Sequence, residues 1–167
     1  MRVLYLLSVW FHILAVIVWL GGAAFLTLVV VPWMRAGDRA RGAALMRDLG
    51  TRLRTVGWSC FAIMLTTGCF NLWIRGVRVG SLFDPTWRRS EFGAAVIYKL
   101  IGFALILGLS IAHDFVLGPR AAARLASAPD DAGVARLRRQ ASMLARVTVL
   151  LGLAMVGLGV VVVRGWP

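Results

Sequence analysis

The chain has 167 residues, 60% of them apolar and only 16% charged, with 19 basic side chains against seven acidic ones and a formal net charge of +12. Such a composition excludes an ordinary soluble domain and a disordered chain. The charge does not make a nucleic-acid interface either, because the arginines fall in short polar gaps rather than along one stripe interleaved with aromatics.

Four apolar runs, 3–31, 56–74, 92–118 and 141–163, each supply the ~20 residues needed to cross a bilayer as a helix. No barrel-type alternation is present, so the spans are predicted to be helices with their backbone groups paired internally. Short connections favour an up-down topology, and the expectation is an all-α, integral membrane four-helix bundle forming a single domain over 1–167. No second domain, low-complexity tract or clear internal repeat is visible. The first run is too long for the apolar core of a cleaved signal peptide, usually ~7–15 residues, and is read as a retained helix.

In the first run, His12 precedes Trp19 by seven residues, about two helical turns, so both share a stripe. Pro32 and Trp33 are expected to close this span. The segment 38–54 carries Leu45, Met46, Leu49 and Leu53 at helical spacing and reads as a surface-lying helix. The second run holds Cys60 and Cys69, nine residues apart and therefore on opposite faces, unable to bridge each other. Asn71 follows, and then the polar gap with Arg75, Arg78, Arg88 and Arg89.

The third run contains Lys99, the only lysine among nineteen basic residues. An ammonium in hydrocarbon costs roughly 3 kcal/mol on insertion scales and marks a functional candidate. Lys99, Gly102, Ile106, Ser110 and His113 recur at three- and four-residue steps, a smaller and more polar stripe suited to a helix interface. His113-Asp114, near the end of this span, reads as a structural ion pair within reach of Arg146. Residues 128–133 read as a turn, with one long helix from Val134 to Val163.

The two long polar gaps on one side carry eleven arginines; the opposite ends carry six. The positive-inside rule then puts both termini outside, and the basic gaps are expected to meet anionic lipid headgroups. Trp10, Trp73, Trp87 and Trp166 mark the outer interface.

His12 lies 20 residues from Pro32, and Lys99 lies 19 from Gly118. At about 1.5 Å per residue the two nitrogens are expected at the same depth, where they would face each other across a bundle interior. Trp19, Arg75 and Arg78 complete the candidate cofactor-binding set, and Cys69 is the soft donor expected at that depth. Copper(I) prefers thiolate, thioether and imidazole, and a protonated lysine ligates it poorly. A b-type haem suits the set better, with imidazole as axial ligand, a neutral lysine as the second, and arginines for the propionates. His12 and His113 differ in depth by ~22 Å, so one chain cannot supply a bis-histidine haem.

These residues carry a resemblance. His12-Ile13-Leu14-Ala15 with Trp19, Gly21-Gly22 and Phe25 resembles the first helix of copper-resistance protein D domains. Leu65-Thr66-Thr67-Gly68 with Asn71 is similar to that family's second helix, and Phe92-Gly93 followed by Lys99 to its third. The likeness covers roughly residues 8 to 115. It implies a role in copper homeostasis, transport or membrane redox in the bacterial inner membrane. The family's more distant relatives are the membrane protoporphyrinogen oxidases of haem synthesis. In them a similar histidine and lysine are implicated in porphyrin or haem binding, which maps onto His12 and Lys99. The segment Val31-Pro32-Trp33-Met34-Arg35 lacks the Tyr-His element of those oxidases.

Three functions therefore stay open: a copper-resistance protein whose His/Lys site takes b-type haem or, as the alternative, copper; an oxidase of porphyrinogens; and a non-catalytic membrane subunit whose polar residues only set helix packing. Whether the chain is an enzyme is left undecided. Membrane lipid and an electron-transfer or copper-donor protein are the implied partners, with self-association open and nucleic acid excluded.

Overall fold

The computed structural model describes residues 1–36, 39–127 and 132–165. Among them there is no strand, and the chain is all-α as its composition requires. Among the described residues, four helices are long and apolar enough to span a membrane: Arg2–Trp33, Leu49–Ile74, Glu91–Ala121 and Ala135–Arg164. Large apolar side chains such as Leu4, Ile17, Leu28, Leu105 and Leu150 are exposed on them, as a lipid-facing surface requires. The chain is a multi-pass membrane protein.

Its contacts divide it into two compact units, Met1–Trp87 and Arg88–Pro167. In the first, α1 (Arg2–Phe25) continues through a π-helical turn, Leu26–Val30, into α2 (Val31–Ala36). It packs antiparallel against α3 (Arg39–Ile74), with Tyr5 beside Arg75 at one end and Gly22 beside Leu53 towards the other. In the second unit, α5 (Glu91–Ile111) continues through a second π-helical turn, Ala112–Leu117, into α6 (Gly118–Ser127). There α5 packs antiparallel against α7 (Ala132–Arg164).

The two π turns share a cause. A proline in mid-helix donates no hydrogen bond, and its ring collides with the carbonyl four residues earlier. Pro32 follows the first π turn by two residues and Pro119 follows the second by two. The widened turn lets Val31 N–H reach Leu26 O, and Gly118 N–H reach His113 O, five residues back. Both helices therefore run through the proline, while the first candidate membrane span ends at Trp33, as expected.

The expected surface helix over 38–54 is also corrected. From Arg39 that segment is helical but continuous with the second span, a single helix of 36 residues. The side chains of Leu45 and Met46 lie outside the described residues, as do Pro129 to Asp131 of the expected turn and Trp166. The long last helix is present as expected, from Ala132 to Arg164.

The helix ends are chemically specified. Gly76 takes φ +82°, its N–H bonds Trp73 O at 3.1 Å and Val77 N–H bonds Leu72 O at 3.0 Å, a Schellman closure of α3 that needs a residue free of a Cβ. A 3₁₀ turn (Val79–Phe83) and the short α4 (Pro85–Arg89) follow. Asp84 Oδ1 accepts from Thr86 N–H at 2.8 Å, and Ser90 Oγ caps α5 by accepting from Gly93 N–H at 3.1 Å.

Candidate functional site

The candidate residues divide between the two units, and each pair of helices keeps one of them in its seam. In the first unit, Ser8, His12 and Trp19 recur on α1 at helical spacing with buried Ala15 between them, and Ser8, His12 and Trp19 meet Thr67, Gly68, Phe61 and Gly57 of α3. Trp19 stacks at a tilt on Phe61, ring centroids 5.2 Å apart. Its shared stripe with His12 is as expected.

His12 Nδ1 lies 2.8 Å from Thr67 Oγ1. Thr67 bonds back to its own helix: Oγ1 is 2.5 Å from Ile63 O and 3.4 Å from Met64 O. A hydroxyl has one proton, and carbonyl oxygens accept only. The Thr67 proton therefore points to Ile63, and its oxygen accepts from His12 Nδ1–H. This fixes the neutral imidazole as the Nδ1–H tautomer, with the lone pair on Nε2. Gly68 makes room for the ring, since a Cβ there would stand 3.4 Å from His12 Cε1.

The seam continues past His12. Ser8 Oγ donates to Thr67 O at 3.4 Å. Arg75 Nε donates to Tyr5 Oη at 3.2 Å. Between these levels lies Asn71, four residues from both Thr67 and Arg75, its Oδ1 buried and without a hydrogen-bond donor among the described residues.

Of the other predicted residues, Arg78 closes the loop after α3. One guanidinium nitrogen lies 2.7 Å from Trp73 O and 3.1 Å from Val77 O, and the guanidinium sits 5.5 Å from the Trp73 ring centroid. Cys69 is exposed and Cys60 buried, on different faces as predicted.

In the second unit, the predicted stripe on α5 does face a neighbour. The Lys99 ammonium reaches across to α7, 3.6 Å from where a Cβ on Gly159 would stand. One turn on, a Cβ on Gly102 would sit 2.5 Å from Met155 Sδ, so the glycine leaves the space that the Met155 side chain fills. Ile106 is buried on the same stripe. Near the far end His113 Nδ1 is 2.8 Å from Asp114 Oδ1, a hydrogen-bond contact within the π turn, and Arg146 is exposed on α7.

Among the described residues no cluster of three or more His, Cys, Asp or Glu side chains forms a ready-made metal cage. A ligand in the first seam would thus depend on the imidazole. Sequence reading missed the roles of Thr67 and Gly68 beside His12. The available signal was their spacing to Asn71, which puts 67, 68 and 71 on one helical face.

A family model described as copper resistance protein D matches residues 47–163. The matched stretch runs from within α3 through α7, including Thr67, Asn71 and Lys99; His12 lies before it. It also runs through the fourth span, where the resemblance read from the sequence stops near residue 115. No curated protein and no solved structure gives a match.

Proposed function

Because the chain belongs to the copper resistance protein D family, we propose that it serves copper homeostasis through an imidazole ligand, His12 Nε2, presented inside the first helical pair. The bound species is the iron of a b-type haem or a copper ion in transit. The observation carrying this reading is the short chain of hydrogen bonds from His12 Nδ1 through Thr67 Oγ1 to Ile63 O. Metal-binding histidines characteristically donate their other ring N–H to a fixed acceptor, which sets the tautomer and raises the basicity of the ligating nitrogen. Thr67 does this for His12.

Bound haem would supply one-electron exchange, whereas copper would be cargo. The chain's own part is the same for both: Thr67 holds the ring, and Gly68 leaves it space. Within the second pair, Lys99 is a separate candidate residue, either as an ammonium for an anionic group or as a neutral amine with a lone pair. We place the protein in the bacterial inner membrane with both termini outside, on the arginine distribution between the polar gaps.

The test is purification from haem-replete and from copper-supplemented cells, followed by absorption spectra and elemental analysis. A Soret band or co-purified copper is expected in the wild type, lost in His12→Ala and weakened in Thr67→Val. A colourless, copper-free wild-type protein from both preparations overturns the proposal.

A further inference from the structure

The metal reading does not use the Asn71 amide of the first seam. Its Oδ1 is buried, and no described residue donates to it. A buried acceptor without a donor is costly, the more so at membrane depth, where lipid offers no replacement. Its surroundings are polar. Thr67 stands four residues before it on α3 and Arg75 four residues after it, just past the helix end, and both are engaged with α1: Thr67 with Ser8 and His12, Arg75 with Tyr5.

We propose that this seam binds water at Asn71 Oδ1, and that the water forms part of a solvent route from the Tyr5/Arg75 end of the first helical pair to His12. The chemistry selects the occupant. An amide oxygen accepts only, so it does not hold an anion. Arg75 already places a positive charge at the mouth, which disfavours a metal cation there. A neutral donor remains, and water, small enough for a seam between two helices, both donates to Asn71 and accepts from the next donor along the seam. At the inner end Gly68 keeps backbone, with no side chain, beside His12 Cε1. The inference stands on the geometry of α1 and α3 and does not require that His12 bind a metal.

The test is magnetisation transfer from water to side chains, measured by solid-state NMR on the full, isotope-labelled chain in lipid bilayers. Build-up at Asn71 and His12 is expected to approach that at exposed Arg78 and to be several-fold faster than at Ala15, which is buried on α1. Asn71→Leu should slow build-up at His12 several-fold and leave Tyr5 unchanged. Wild-type build-up at Asn71 and His12 as slow as at Ala15 overturns the proposal, and this measurement stands even if the variant does not fold. Two further outcomes overturn it: His12 hydration indifferent to Asn71→Leu, or Asn71 coupled to the protons of a lipid or co-purified molecule in place of water.

Discussion

The first and second helical pairs follow one register and fill it with different chemistry. His12 and Lys99 each stand 20 residues before a proline, and in each case a π-helical turn ends two residues before that proline. The shift between the pairs is 87 residues, and at that shift buried Ser8 corresponds to buried Ala95, and Ala15 to Gly102. No clear repeat shows in residue identity; what recurs is the placement of proline, wide turn and interfacial polar group. The first pair is joined by side-chain hydrogen bonds and by Trp19 on Phe61. The second is joined by close approach over glycine, with Met155 against Gly102 and Lys99 against Gly159. The difference shows that helices in lipid can be held by polar contacts or by small residues on the same backbone plan.

The contrast can be broken most forcefully at Gly102. Gly102→Leu puts side-chain atoms where Met155 Sδ now lies, and a loss of about 1–3 kcal/mol is expected in unfolding measurements in detergent. Adding Met155→Ala should recover part of that loss; no recovery would mean that the close approach is not the cause. His12→Ala removes the ring and its bond to Thr67, an expected loss of about 1–2 kcal/mol in the same assay. Thr67→Val keeps the shape and deletes the acceptor, for about 0.6 kcal/mol of stability. If His12 is a ligand, the same change should lower metal affinity about 10–100-fold in titration. An affinity equal to wild type would deny Thr67 its orienting role.

The smallest effect is expected at Gly159. A Cβ there meets the Lys99 ammonium at 3.6 Å, an ordinary contact, so Gly159→Ala should change stability by under about 0.5 kcal/mol. A large loss would show that α5 and α7 touch more tightly at Lys99 than at Gly102, reversing the order of the two glycines.

The sequence by itself determined the number of spans, their helical nature, the last helix beginning near residue 134, and the two intramembrane nitrogens, His12 and Lys99. These follow from quantities that add along the chain: apolar length against bilayer thickness, and the need of every backbone group for a partner. It also placed Lys99, Gly102 and Ile106 on one face, because helical period is a local property. Only the tertiary structure decided that Pro32 and Pro119 lie inside continuous helices, since a proline ends a helix or widens it according to what the neighbouring turn can absorb. It alone showed that Met155 fills the space over Gly102 and that Thr67 Oγ1 stands within hydrogen-bond distance of His12 Nδ1. Those depend on how two helices are rotated against each other, and no periodicity in a single chain records that.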